Sequence, residues 1–137
     1  FYLYVLARAD QWDAAQYDAL NDLRPRLDRA SMAYMLMAAT ESGDLDRAAP
    51  LLAELTSAAI ISGTGVHWEE ANRDWRNWGS DTRTTALVLT ALVRADPANE
   101  LLPDVVRWLM TARRGQHWAS TQETAWSLMA LTDWMHY

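Results

Sequence analysis

The chain has 137 residues, 50% of them hydrophobic, and a formal net charge of −6. This length suits one domain with a sizeable core, and the acidic balance argues against nucleic acid as a partner, because phosphates attract clustered basic residues. The absence of Cys excludes disulfides, thiolate metal sites and thiol nucleophiles within these residues. Charged residues interrupt each apolar run, so we expect no membrane-spanning helix. The low Gly and Pro content predicts an all-α fold, and nothing indicates a cofactor.

Hydrophobic periodicity and capping residues predict four helices in the first half of the chain. An apolar pattern is already under way at Phe1, which predicts that residues 1–137 are a single segment of a longer protein. Pro50 leaves open whether the fourth helix continues or restarts at that point. The four helices are predicted at residues 1–9, 10–23, 28–41 and 44–55.

The second half of the chain begins with a change in composition. Between residues 58 and 68, β-branched residues flank a Ser-Gly-Thr-Gly turn, and we predict one small β-hairpin there. Asp81 is the predicted cap of the helix that follows, and Ser120, in a Ser-x-x-Glu capping box, is the predicted cap of the last helix. The sequence thus predicts about seven helices. The last three are predicted at residues 82–94, 101–113 and 120–134.

Two internal echoes organise these helices into repeats. Gly65-Val-His-Trp68 recurs fifty positions later as Gly115-Gln-His-Trp118, and the sequence after Trp78 resembles that after Trp118 at a spacing of forty. Such periods are typical of stacked helical hairpins, in which each hairpin covers the apolar face of its neighbour. We therefore predict roughly three to four hairpins, with Trp68, Trp78, Trp118, Gly65 and Gly115 at the hairpin junctions.

Two Trp-led motifs carry a resemblance to a known family. They are Trp78-Gly-Ser-Asp-Thr-Arg-Thr-Thr-Ala-Leu-Val-Leu-Thr-Ala-Leu92 and Trp118-Ala-Ser-Thr-Gln-Glu-Thr-Ala-Trp126. Together with Tyr4-Val-Leu-Ala-Arg-Ala9 and the Gly-Val-His-Trp linker, they resemble the thioester domain of bacterial alpha-2-macroglobulins. The resemblance covers nearly the whole chain. It implies an α/α toroid, of which this chain is the C-terminal portion.

The resemblance also implies a function for the parent protein. Members of this family trap proteases: a bait segment is cut, and an internal thioester between a Cys and a Gln then acylates the attacking protease. Those two residues lie in an upstream Cys-x-Glu-Gln motif, and no Cys precedes Gln122-Glu123 here. We therefore assign no catalytic, cofactor-binding or metal-binding residue. We expect a non-enzymatic scaffold of an exported bacterial inhibitor, periplasmic or at the cell surface, with proteases and neighbouring domains of the same chain as partners.

An enzymatic alternative rests on the Trp residues of the predicted loops. Several α/α-barrel glycoside hydrolases pair Trp surfaces with two carboxylates. The repetition instead favours Trp residues that wedge the base of one hairpin against the next. The Trp residues are Trp68, Trp75, Trp78 and Trp118, and the candidate carboxylates are Glu69, Glu70, Asp74 and Asp81.

Three further interpretations concern individual positions. His67 and His117 share the Gly-x-His-Trp pattern, but fifty residues separate them, so we predict packing roles and no metal site. Asp81 and Arg83 are a candidate recognition pair, although capping is the simpler role for Asp81. The apolar faces of the first and last helices are predicted to be exposed, which makes them candidates for self-association.

Overall fold

The protein, described by a computed structural model at residues 1–71, 76 and 78–137, is mainly helical in these ranges. The predicted all-α class, with about seven helices and one small β-hairpin, is confirmed. The helices are α1 (Tyr2–Arg8), α2 (Ala14–Asn21), α3 (Arg29–Glu41), α4 (Leu45–Ser57), α5 (Asp81–Ala95), α6 (Leu102–Ala112) and α7 (Thr121–His136). A 3-10 turn at Arg24–Arg26 precedes α3, and the antiparallel strands β1 (Ile60–Ser62) and β2 (Gly65–His67) lie between α4 and α5.

Acidic side chains begin the three helices that follow α1. Asp13, Asp28 and Asp44 each accept hydrogen bonds from backbone N–H groups in the first turns of α2, α3 and α4. These bonds satisfy donors that have no partner within the helix. Pro50 lies inside α4, so this helix continues past it, without the backbone hydrogen bond that a proline cannot donate. Across the described ranges, no helix combines the length and apolar character needed to cross a bilayer.

The helices form two layers. The odd-numbered helices pack side by side, α1 on α3, α3 on α5, and α5 on α7, and we call these four the inner row. Helices α4 and α6 form a second layer against α3 and α5. Helix α2 joins this layer, because the Tyr17 hydroxyl donates a hydrogen bond to the backbone oxygen of Arg47 at 2.8 Å. Successive hairpins thus contribute one helix to each layer.

The hydrophobic core lies around the two central helices of the inner row. The buried side chains of α3 and α5 run almost without interruption along each helix, from Ala30 to Ala39 and from Thr84 to Val93. A helix that is buried on nearly all sides must be covered by neighbours on each flank. Helices α1 and α7, at the ends of the row, leave apolar side chains exposed, among them Tyr2, Val5, Leu128, Met129 and Met135.

The N-terminal and C-terminal ends of the four inner helices make different contacts. At the C-terminal ends, Arg94 of α5 pairs with Asp133 of α7 and with Glu41 of α3, and Glu41 also pairs with Arg8 of α1. At the N-terminal ends, residues from the first or second turns of all four helices line a cavity of about 480 Å³. The four inner helices therefore run in the same direction, as expected when antiparallel hairpins are stacked.

Strand β2 lies against the start of α6. Gly65 has a φ of +130°, and a Cβ at this position would collide with the backbone oxygen of Asp104 and come within 2.9 Å of the Trp108 Cβ. Two residues further on, the His67 ring stacks on the Trp108 ring, with centroids 4.6 Å apart and an angle of 3° between the planes. The hairpin is therefore fixed to α6 by a close backbone approach and a ring stack.

We expect Gly65→Ala to lower the free energy of unfolding by about 2 kcal/mol or more, because it adds a steric overlap to an unfavourable backbone conformation. Gly63→Ala is the matched control, since a Cβ at Gly63 has no neighbour within 4 Å and its φ lies outside the left-handed region. Urea unfolding followed by circular dichroism measures both. A difference between the two variants below about 0.5 kcal/mol would contradict the close approach.

Candidate functional site at the hairpin junctions

Trp68 fills the junction between α4 and α5. Its side chain is buried, and the indole N–H donates a hydrogen bond to the backbone oxygen of Leu55 at 2.8 Å. Its backbone N–H donates to the Thr85 hydroxyl in α5 at 3.1 Å. Because Leu55 lies in the last turn of α4, the indole satisfies a carbonyl that has no partner within its own helix. One side chain therefore fills the gap and joins two helices.

Trp118 makes the same contacts between α6 and α7. Its side chain is buried, the indole N–H donates to the backbone oxygen of Leu109 at 2.9 Å, and the backbone N–H donates to the Thr124 hydroxyl at 3.1 Å. Leu109 lies in the last turn of α6 and Thr124 in the first turn of α7. Trp68 and Trp118 therefore occupy equivalent positions of the repeat.

Trp78 does not fill the space between two helices as Trp68 and Trp118 do, which corrects the role predicted for it. Its side chain is 68% exposed, and its backbone has a φ of +56°. Twelve positions separate Trp68 from Ser80, at the start of α5, whereas two separate Trp118 from Ser120, at the start of α7. The junction before α5 thus contains ten additional residues, and Trp78 is one of them. The forty-residue echo aligns the helix starts at Ser80 and Ser120, but the two Trp residues that it aligns differ, since Trp78 is exposed and Trp118 is buried.

The N-cap of α5 is Ser80 and not Asp81, which corrects a second prediction. Ser80 has an extended backbone, and its Oγ accepts a hydrogen bond from the backbone N–H of Arg83 at 3.2 Å. Asp81 is already the first residue of the helix, whereas capping requires a residue just before it. The Asp81 carboxylate instead accepts a hydrogen bond from the backbone N–H of Glu70 at 3.2 Å.

Ser120 and Gly115 shape the approach to α7. The Ser120 Oγ accepts a hydrogen bond from the backbone N–H of Glu123 at 3.1 Å, and the Glu123 carboxylate accepts one from the backbone N–H of Ala119 at 2.9 Å. Gly115 has a φ of +68°, and a Cβ there would have no neighbour within 4 Å. Gly115 therefore allows the left-handed backbone conformation of a turn, whereas Gly65 allows strand β2 to approach the backbone of α6 closely.

Glu70 connects three segments of the chain. Its carboxylate accepts hydrogen bonds from the backbone N–H groups of Arg29 and Ala30, at the start of α3, and from the hydroxyl of Thr84 in α5, each at 3.0 Å. A carboxylate is also favourable at this position because the N-terminus of a helix carries partial positive charge. The bonds to α3 join residues about forty positions apart, and no sequence motif indicates them.

The two histidines of the repeated pattern make different contacts. His67 Nε2 lies 3.1 Å from the Glu69 carboxylate, and His117 Nδ1 donates to the backbone oxygen of Trp118 at 2.7 Å. The second bond requires that His117 carries its proton on Nδ1, since a carbonyl only accepts. Within the described part of the chain, no group of three or more His, Cys, Asp or Glu residues is arranged to hold a metal ion.

The geometry does not favour the carbohydrate-active alternative. The indole rings of Trp68 and Trp118 are buried, so they offer no face on which a sugar could stack. Glu70 uses its carboxylate to hold α3 and α5, and is therefore not free to act as a catalytic acid or base. Asp74 and Trp75, two further candidates of that alternative, lie outside the described residues.

Stacked helical hairpins with buried Trp junctions define this protein as an α/α repeat scaffold. The chain belongs to the family of A-macroglobulin TED domains, the thioester domains of macroglobulins, which it matches over residues 8–134. No curated protein matches it. The family match confirms the resemblance of the Trp-led motifs to a macroglobulin thioester domain and agrees with a helical toroid.

We expect Trp68→Phe and Trp118→Phe each to lower the free energy of unfolding by about 2 kcal/mol, because each leaves a void and a helix-end carbonyl without its donor. Trp78→Phe is the control, and its effect should stay below about 0.5 kcal/mol because the ring is exposed. Urea unfolding followed by far-UV circular dichroism avoids the change in Trp fluorescence. Equal effects at all three positions would contradict the junction assignment.

Glu70→Gln should also destabilise the protein, by about 1.5–3 kcal/mol, because the start of α3 loses an ionised acceptor. Hydrogen exchange at the backbone amides of Arg29 and Ala30 should become faster in this variant. Glu69→Gln is the matched control, since the Glu69 side chain is 58% exposed, and should leave those amides unchanged. Thermal unfolding and amide exchange by NMR test the prediction, and unchanged exchange in Glu70→Gln would count against it.

Proposed function

We propose that this chain is a non-enzymatic scaffold segment of a bacterial alpha-2-macroglobulin-like protease inhibitor, and that it forms the C-terminal portion of the thioester domain. Family membership over residues 8–134 is the observation that carries the proposal. The chain contains no Cys, so it cannot itself supply the thiol of an internal thioester. In this proposal the reactive bond lies elsewhere in the parent protein, and the present segment supports and shields it.

The packing of the described residues supports a scaffold role. The Trp junctions and the ion pairs of Arg94 tie successive hairpins together at several points. A domain built in this way is suited to move as one body when the parent protein rearranges, because its hairpins share a continuous core. The indole N–H groups of the two Trp residues and the Glu70 carboxylate form hydrogen bonds that hold helices together.

The proposal extends to partners and location. The partners are the attacking protease and the neighbouring domains of the same polypeptide, and the parent protein is exported to the periplasm or the cell surface. There it would meet proteases from outside the cell. Osmotic fractionation of the source bacterium, with an antibody against this segment, tests the location, and recovery only with the cytoplasm would reject it.

The inhibitory role is tested with the full-length product of the gene that encodes this segment. After incubation with trypsin, we expect hydrolysis of casein to fall at least about tenfold while hydrolysis of a small chromogenic peptide is largely kept, because a trap shields the protease from large substrates only. Equal rates with and without the product would reject the proposal.

The covalent part of the proposal has its own control. If the coding sequence on the 5′ side contains a Cys-x-Glu-Gln motif, trypsin should form an adduct that survives denaturing electrophoresis, and replacing that Cys by Ala should abolish it. The isolated 137-residue chain should form no adduct, since it has no thiol. An adduct with the isolated chain would show that it carries reactive chemistry of its own.

A further inference from the structure

Arg83 is an unusual arginine in this protein. Its guanidinium carbon lies 5.9 Å from the centre of the Trp126 ring, and its buried Nε has no hydrogen-bond partner among the described residues. Four other partly buried arginines of the described chain each lie within 3.5 Å of a carboxylate oxygen, namely Arg24, Arg29, Arg47 and Arg94. No such ion pair is found for Arg83 within the described ranges.

The position of Arg83 in α5 is also unfavourable for a cation. It is the third residue after the Ser80 cap, in the first turn, where the partial charge of the helix is positive. The equivalent residue of α7, three positions after Ser120, is Glu123, which completes its helix start by accepting a hydrogen bond from Ala119. The other copy of this helix start thus carries an acceptor at the position, and the partial charge of the first turn of α5 does not favour the arginine.

Arg83 faces the cavity of about 480 Å³ at the N-terminal ends of the inner row. Tyr34 lies edge to face with Phe1 and with Trp126, at centroid distances of 5.5 and 6.0 Å, so one wall of this cavity is aromatic. Burial raises the pKa of the Tyr34 phenol, although the charge of the nearby Arg83 guanidinium and its hydrogen bonding to the phenol oxygen oppose this shift. The phenol is therefore protonated at neutral pH and available as a donor.

Two carboxylates line the same cavity, and both are already engaged by the start of α3. Asp28 accepts a hydrogen bond from the backbone N–H of Ser31 at 2.7 Å, and Glu70 accepts the bonds from α3 and Thr84 described above. Among the ion pairs of the described residues, neither carboxylate is paired with Arg83. The cavity thus combines an aromatic wall with a guanidinium that has no carboxylate partner among the described residues.

We propose that this cavity binds a carboxylate carried on an apolar group, with the Arg83 guanidinium as its charge partner. The planar fork of a guanidinium matches both oxygens of a carboxylate, and the rings of Tyr34 and Trp126 contact the apolar part. The ligand is a small aryl or alkyl carboxylic acid or the C-terminus of a peptide that ends in an apolar residue. This inference does not depend on the inhibitory role of the parent protein.

The first test uses the unaltered 137-residue chain. Isothermal titration with 3-phenylpropionate should show saturable binding, and the neutral 3-phenylpropanamide should bind at least about tenfold more weakly, because it lacks the charge that pairs with Arg83. Absence of saturable binding by the acid, or equal affinities for acid and amide, would overturn the proposal. This comparison needs no variant and therefore does not depend on how a substitution folds.

The second test uses Arg83→Gln, with Arg114→Gln as the control because Arg114 is exposed and does not line the cavity. Arg83→Gln should weaken binding of 3-phenylpropionate at least about tenfold, whereas Arg114→Gln should keep the affinity. The melting temperature of Arg83→Gln should stay close to that of the unaltered chain, since removal of a cation from the first turn of α5 offsets the lost contact with the Trp126 ring. Full affinity in Arg83→Gln would overturn the proposal.

A third comparison distinguishes the two sources of the carboxylate. Acetyl-Ala-Phe with a free C-terminus is titrated beside the same peptide as its C-terminal amide. Tighter binding of the free peptide than of 3-phenylpropionate assigns the cavity to peptide C-termini, and the reverse order assigns it to small acids. Equal affinity of the free peptide and its amide would count against recognition of the carboxylate.

Discussion

The architecture depends on a buried indole N–H that donates to a carbonyl at the end of the preceding helix. At Trp68 and again at Trp118, this bond joins one hairpin to the next while the ring fills the space between them. A helix end leaves carbonyl groups without partners, and burying them unpaired costs free energy. Tryptophan meets both needs, because its large apolar ring fills the space and its indole N–H is a donor.

The two junctions show how a repeat can diverge without losing this contact. The junction before α5 holds ten more residues than the junction before α7, yet each Trp keeps its bonds to a helix-end carbonyl and to a threonine hydroxyl. Glu70 lies in the longer connection, shortly after Trp68, and its carboxylate accepts hydrogen bonds from backbone N–H groups at the start of α3. The added chain thus ties together helices that lie far apart in sequence.

Much of the fold follows from local features of the sequence. The starts of α2, α3 and α4 follow from Asp13, Asp28 and Asp44, because a capping side chain acts on N–H groups only two or three residues away. The start of α5 lies one residue before its predicted position, because Ser80 and Asp81 are both good caps and only the backbone conformation decides between them. Local rules place the starts of α3, α4 and α5 within about a residue or two, whereas α2 begins at Ala14, four residues after its predicted start at residue 10.

The sequence by itself determined the helical class, the approximate number of helices and the family, since these follow from periodicity, capping and motif. Only the tertiary structure decided which Trp residues are buried, that Glu70 serves α3, and that Arg83 stands in a cavity without a carboxylate partner among the described residues. The physical reason is distance along the chain. Burial and pairing depend on groups that the fold brings together from separate hairpins, and a linear pattern does not record them.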